Sequence, residues 1–213
     1  MLEEEEKNKK KKLKIILASS SPRRKSILEM LKLDFDIVVP SGVNEKVLKS
    51  PLATAINNSY AKAQWVYNNK TANNPGPPQA LVAGFDTIIY MRGKYFGKPC
   101  DNAQAEQYLA DLSGRTHKAV TGITIIDSKS LKTVSGYEVT EVTFNKLDKS
   151  FIKYYLEKEN ITDKAGAYDI SGYGIIMVKK INGCFYNVAG LPVGKFLYLL
   201  GMLGYKLKDF CSF

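Results

Sequence analysis

The sequence predicts a mixed α/β protein, and three stretches carry that prediction. The short apolar run Ile15-Ile16-Leu17 reads as a buried strand. It passes through a serine-rich loop into a helical pattern, with Ile27, Leu28 and Leu31 on one face. Leu52, Ile56, Tyr60, Ala63 and Val66 then recur at steps of three and four, the pattern of an amphipathic helix. Leu81 to Tyr90 is apolar and β-prone on both sides of a lone acid, Asp86.

Composition narrows the class. With 213 residues, 45% apolar and 24% charged, the chain matches a soluble globular protein with one sizeable core or two lobes sharing it. No apolar run approaches the ~20 residues of a membrane span, so no membrane partner is expected. Met1 to Lys12 lacks an apolar signal region. Its run Glu3 to Glu6 followed by Lys7 and Lys9 to Lys12 predicts a disordered charged tail over 1–12, ahead of a single domain over 13–213. The formal net charge is +10, of which the tail contributes only +1, so the body is basic and suits polyanionic partners. Cys100, Cys184 and Cys211 are odd in number and widely spaced. They form neither a disulfide framework nor a zinc pattern, which implies a reducing compartment and a cytoplasmic location. His117 is the only histidine, so histidine-rich metal sites are excluded and any Ser-His-Asp triad must use it.

The first loop is rich in chemistry. Ser21 is a good N-cap residue and Pro22 suits the first helical position, where no amide donor is wasted. The free amides of that turn and the helix dipole favour an anion. Arg23 and Arg24 add forked cationic donors, and Ser19 and Ser20 add hydroxyls. Two readings stand: an anion cradle, or a capped helix with a solvated basic first turn. Because the dipole repels cations at a helix start, two arginines there call for a counter-charge.

The other elements follow in order. Phe35 to Val39 predicts a strand, and Ser41 to Glu45 a turn-rich segment carrying a carboxylate. Lys62 lies off the apolar stripe of its helix and reads locally as a solvated lysine. Asn68 to Gln79 is Asn, Pro and Gly rich and predicts a surface loop. An acid inside a β-run is costly to bury unless paired, so Asp86 needs a metal, a cation or a structural salt bridge. Arg92-Gly93 predicts a hairpin turn, returning through Tyr95-Phe96 and bringing Lys98 near the strand end that carries Asp86. Asp101 caps a helix over Ala103 to Leu112, and Gly114 suits its left-handed end. His117 reads as a structural side chain. Val120 to Ile126 and Thr133 to Phe144 alternate as an antiparallel pair, and Asp148 starts a helix through Glu157. Asp163 to Tyr168 is a small-residue turn. Ile175 to Val178 and Cys184 to Val188 flank Asn182-Gly183, a hairpin signal. Leu191 to Leu203 predicts an apolar helix packed on the sheet.

Taken together, the ordered motifs Leu17 to Arg24, Gly84-Phe85-Asp86-Thr87, Gly97-Lys98-Pro99, Ser113 to His117 and Asp163 to Tyr168 resemble those of Maf proteins, also called septum-formation-inhibitor-like proteins. The resemblance covers about Lys14 to Gly204. It implies a two-lobed α/β fold similar to the inosine-triphosphate pyrophosphatases, an elongated mixed sheet flanked by helices with a central cleft. It also implies hydrolysis of nucleoside triphosphates to monophosphate and pyrophosphate with Mg²⁺ or Mn²⁺, commonly in a homodimer. Carried onto this chain, Asp86 is the expected general base, and Glu45, Lys62 and Lys98 complete the catalytic set. As hard oxygen donors, Glu45 and Asp86 are the expected metal ligands. Ser19, Ser20, Ser21, Arg23, Arg24, Thr87 and Ser171 are expected to bind substrate. Arg23 and Thr87 resemble the branch acting on dTTP and UTP rather than the one preferring 7-methyl-GTP. That branch usually has glutamine at Ser171, whose amide could read a pyrimidine edge, and alanine at Phe85, whose larger ring is expected to reshape the pocket.

Within the enzymes, a pyrophosphatase acting on purine or modified nucleotides such as 7-methyl-GTP is the alternative, and two other classes compete. A nucleic-acid-binding module suits the basic body and the thirteen tyrosines, but the lysines are scattered and no RNA- or DNA-binding motif is recognisable. A non-enzymatic regulator of cell division suits the family's historical name, but the full set of acids and cations speaks against lost catalysis.

Overall fold

The computed structural model describes residues 13–71, 80–161 and 163–211. The expected tail lies outside them, as do residues 72–79 of the expected surface loop. β1 (Lys14–Ala18) pairs in parallel with both β2 (Phe35–Ile37) and β3 (Ala80–Met91). The spine is antiparallel: β3, β5 (Thr116–Asp127) and β6 (Thr133–Phe144) are each 12 residues long. At ~3.3 Å per residue such strands reach about 40 Å, which gives the elongated sheet its length. β7 (Val178–Asn182) extends it beyond β6, and β4 (Lys94–Phe96) folds back on β3 through the Arg92-Gly93 turn. The order is β2-β1-β3-β5-β6-β7, with β4 attached to β3.

That order opens a window. β1 covers one edge of β3 only as far as Gly84, and β4 covers the same edge again from Ile89. Between them, Phe85 to Ile88 have no strand neighbour on that side, while β5 pairs the other edge throughout. Asp86 therefore stands mid-strand in this gap, not at a strand end.

Helices cover both faces. The larger core joins Ile15, Leu17, Phe85 and Ile123 to Leu28 of α1 (Pro22–Met30) and to Phe196 and Leu199 of α6 (Val193–Met202). α3 (Asn102–Leu112) and α4 (Lys149–Lys158) bury Leu109, Leu112 and Ile152 in the same core. Asp101 and Asp148 cap them as expected, each accepting a backbone N–H three residues on.

α2 (Pro51–Val66) packs on the opposite face, and the expected stripe is met only at its C-terminal end, by the buried Ala63 and Val66. Tyr60 is 39% exposed and Leu52 and Ile56 are only half-buried, whereas Ala55 and Ser59, off that stripe, are sealed. The reason is close approach. A Cβ on Gly84 would lie 2.2 Å from the Ser59 carbonyl oxygen, and one on Gly122 would lie 2.2 Å from that of Ala55. Backbone rides on backbone, which admits only small residues on the contact face. Beyond α2, Tyr67–Thr71 continue as one wide π-type turn rather than a loop.

The Asn182-Gly183 hairpin does not form. Tyr173–Met177 is a 3₁₀ turn, β7 pairs with β6, and Phe185–Val188 is a short helix, α5. Long-range bonds override the local turn signal. The buried Asn187 amide donates to the Ala119 carbonyl and to Thr140 Oγ1, and Thr140 Oγ1 also accepts the Cys184 N–H. His117 is structural, as expected. It is 1% exposed, packs edge-on to Phe144 and Tyr168, and joins Tyr168 Oη through Nε2 at 2.9 Å.

Candidate active site

The site grows from the window in β3. At the end of β1 the chain turns through Ser19 to Ser21 into α1, with Pro22 in its first turn. Ser21 takes the N-cap position but makes no side-chain cap. Instead its N–H donates to Ser19 Oγ at 3.1 Å. Ser19 Oγ also accepts from Arg24 Nη1 at 2.9 Å, while Arg24 Nε donates to the Gly190 carbonyl at 2.8 Å and Nη2 to Thr87 Oγ1 at 3.1 Å. Three neutral acceptors thus hold the Arg24 guanidinium, which also lies 5.7 Å from the centre of the Phe85 ring. No carboxylate touches it within these contacts, so its charge stays available to a bound anion. Burial lowers its pKa to about 10, against the opposing pull of Asp86, and it remains a cation at neutral pH.

Arg23 meets the counter-charge that the helix start demanded: its Nη1 lies 3.2 Å from Asp169 Oδ2. Asp169 is itself fixed, accepting the Ser171 N–H at 2.8 Å and donating its own N–H to Tyr155 Oη at 3.0 Å.

Across the cleft, α2 presents Asn58 and Lys62 one turn apart, hence on one face. Lys62 Nζ donates to Asp86 Oδ1 at 2.6 Å and to Glu45 Oε1 at 2.9 Å. Asn58 Nδ2 donates to Asp86 Oδ2 at 3.2 Å. Burial raises the Asp86 pKa, and the charge of Lys62 opposes it without cancelling it. Glu45 moves the other way. Burial raises it, but Lys62, Lys98 and Arg24 outweigh that and hold it low. Two acids 41 positions apart in the chain are therefore driven in opposite directions by their surroundings.

Ser19, Ser20, Ser21, Arg23, Arg24, Glu45, Lys62, Asp86, Thr87 and Lys98 all line one cavity of about 430 Å³. Sequence reasoning placed all of these at the site. Lys98 reaches the cleft through the β3–β4 return, and its charge helps to hold Glu45 low. Ser171 is different. It lines a second, shallower groove with Arg23, Phe185 and Tyr186, outside the wall of the main cleft. Phe85 does not crowd the cleft either: it alternates away from Asp86 into the core, 5.7 Å from Phe196. Thr87 is engaged by Arg24 and lies 3.0 Å from Thr121 Oγ1, so it braces the cradle. Asn58, Asp169 and the Gly190 carbonyl were not anticipated. Asn58 had a signal, standing four residues before Lys62; Gly190 had none.

The carboxylates can hold a cation. Among the described residues no group of three or more His, Cys, Asp and Glu side chains gathers around one point. Glu45 and Asp86 converge on Lys62 Nζ, which lies between them where positive charge is demanded. Two hard oxygen donors fit Mg²⁺ or Mn²⁺, which are commonly held by one or two carboxylates together with substrate phosphates and water.

A windowed mixed sheet flanked by helices, with an arginine cradle facing a buried acid, defines an α/β protein built around an anion-binding cleft. The profile of the family described as Maf-like protein matches residues 14–203, and the chain belongs to that family. It is 43% identical over 190 residues to the dTTP/UTP pyrophosphatase of Pyrococcus furiosus, covering 88% of this chain and 93% of that one. It is 39% identical to the dTTP/UTP pyrophosphatase of Clostridium kluyveri, covering 87% and 95%. The one from Thermotoga maritima is 38% identical, covering 84% and 86%. Among solved structures, a HAM1 protein from Coxiella burnetii overlaps 62% of this chain and 73% of its own at 17% identity, with a TM-score of 0.39.

Proposed function

We propose that this protein is a nucleoside triphosphate pyrophosphatase of the dTTP/UTP type, releasing pyrophosphate and a nucleoside monophosphate. The observation that carries the reading is Asp86: a buried carboxylate with a raised pKa, opposite a preorganised arginine, in a cleft of substrate size. Relatives bearing the name dTTP/UTP pyrophosphatase over most of the chain support the substrate class.

The residues divide the chemistry by type. Arg24 and the serine loop that ends β1, with Ser20 in the cleft wall, grip the phosphate tail. Lys62 and Lys98 offset charge that develops on the phosphates, where fixed donors in a dry cleft act strongly. Asp86 orients the attacking water and takes its proton as the water oxygen bonds to the α-phosphorus. The α–β bridging bond breaks, and its electrons leave on pyrophosphate. The raised pKa makes Asp86 a better base than an ordinary aspartate. Glu45 and Asp86 would hold Mg²⁺ or Mn²⁺, which when bound polarises phosphate oxygens. Ser171, outside the cleft wall, leaves the base preference to the cleft itself. The reading includes a cytoplasmic homodimer. Its support is three free cysteines, no helix among the described residues long and apolar enough to cross a membrane, and exposed Ile175 and Ile176.

The test is a panel of nucleoside triphosphates assayed for pyrophosphate release with Mg²⁺, Mn²⁺ and chelator. dTTP and UTP should turn over fastest, chelation should abolish release, and Asp86→Asn should fold normally yet lose at least about a hundredfold in kcat. Near-normal turnover by Asp86→Asn would remove the base assignment.

A further inference from the structure

Asp86 has two oxygens, and the mechanism above employs a partner for only one. Oδ1 meets Lys62; Oδ2 meets Asn58, which is 4% exposed and lines the cleft. The other end of the same amide is also occupied: Asn58 Oδ1 accepts the Lys46 N–H at 2.9 Å. Lys46 directly follows Glu45, and Glu45 returns to Lys62. The result is a closed circuit, Asp86–Asn58–Lys46 through one amide and Glu45–Lys62–Asp86 through one ammonium.

The two ends of Asn58 face opposite demands. A backbone N–H only donates, so it requires the amide oxygen; a carboxylate only accepts, so it requires the amide NH₂. Of the polar side chains of this length, a neutral amide alone satisfies both. Leucine satisfies neither. Aspartate keeps the acceptor toward Lys46 but sets a second carboxylate against Asp86. A buried donor or acceptor left unmet is costly, so the circuit resists partial opening.

We propose that Asn58 is a positioning residue for the reaction: its amide aims Asp86 and tethers the Glu45 loop to it, fixing the separation of the two carboxylates. The inference rests on the pyrophosphatase reading. Lys62 alone would leave Asp86 free to turn about the Oδ1 contact, and would leave Glu45 itself held by its ion pair, the next anchor of its loop being the Leu48 N–H on Thr54 Oγ1 three residues on.

Asn58→Asp and Asn58→Leu separate the two ends of the amide. Pyrophosphate release from dTTP gives kcat and KM per folded molecule, and amide hydrogen exchange over residues 41–47 is followed without nucleotide or metal. Both variants should lose at least about tenfold in kcat with KM changed less than about threefold, the scale of losing an outer-shell partner. Lys46 should exchange faster in Asn58→Leu and stay protected in Asn58→Asp. A purely structural tether makes Asn58→Asp nearly as active as the wild type, and that result would overturn the proposal. So would unchanged exchange in Asn58→Leu. If Asn58→Leu does not fold, the near-isosteric Asn58→Asp decides alone. A wild type that releases pyrophosphate from no triphosphate defeats the functional reading instead, and the exchange comparison then still supports or overturns the tether.

Discussion

Gly122 stands opposite Asp86 in the β3–β5 ladder, and its missing side chain seats the helix that completes the site. An alanine there would place its Cβ 2.2 Å from the Ala55 carbonyl carbon and oxygen and 2.6 Å from the Ile56 nitrogen. All three are backbone atoms, so no side chain can swing aside. Carbon atoms pack best at about 3.5–4.0 Å, so α2 must retreat by roughly 1 Å or more. Overpacking of this kind costs about 1–3 kcal/mol, and each kcal/mol lowers Tm by roughly 2–4 °C in a domain of this size. The chemical loss should be larger. Lys62 and Asn58 ride on α2, at 2.6 and 3.2 Å from Asp86, and a displacement of about 1 Å can cost a hundredfold in rate. Gly122→Ala should therefore melt a few degrees lower by circular dichroism, yet lose about two orders of magnitude in pyrophosphate release well below its Tm. Gly194→Ala is the control. That glycine lies in α6 with nothing within 4 Å of its would-be Cβ, so alanine should stabilise by about 0.5–1 kcal/mol and leave turnover alone. Turnover of Gly122→Ala within about twofold of wild type would refute the claim that backbone contact between α2 and the sheet places the catalytic groups.

Two further expectations follow from the same geometry. Arg24→Ala removes a guanidinium whose charge no contacting carboxylate neutralises. Charge-assisted bonds are worth about 1.5–3 kcal/mol, so KM for dTTP should rise at least about tenfold in initial-rate measurements, and an unchanged KM would count against the cradle. His117 is held neutral by burial, its pKa lowered from 6.5 to about 4. The unfolded chain therefore binds the proton first as the medium acidifies. The His117 contribution is fully present above pH 6.5 and is lost as the pH falls toward 4, in total roughly 3 kcal/mol at ~1.4 kcal/mol per unit. Urea midpoints at pH 7.5 and 5 should fall less in His117→Phe than in wild type; equal falls would refute this account.

How much of the site was legible depended on how local its cause was. The serine-proline-arginine loop is a sequence-adjacent device, readable because a cap, a proline and a dipole act within one turn. Asp86 was readable because a carboxylate in an apolar β-run demands a partner wherever it folds. The demand for a counter-charge at two arginines was readable too, but not its source, since Asp169 reaches Arg23 from another loop. The turn at Asn182-Gly183 went the other way. Its local hairpin preference is small beside the buried bonds that Asn187 and Thr140 make with distant strands.

The sequence by itself determined strands β1 to β6, helices α1 to α4 and α6 and the identity of the charged groups, because these rest on side-chain periodicity and on chemistry carried by single residues. Only the tertiary structure decided which face of α2 meets the sheet, where the edge of β3 is left open, that Ser171 lines a separate groove while Phe85 turns into the core, and that Asn58 closes the circuit around Asp86. The physical reason is range: those outcomes depend on backbones brought within contact across tens of residues, and no local pattern records how closely two distant segments approach.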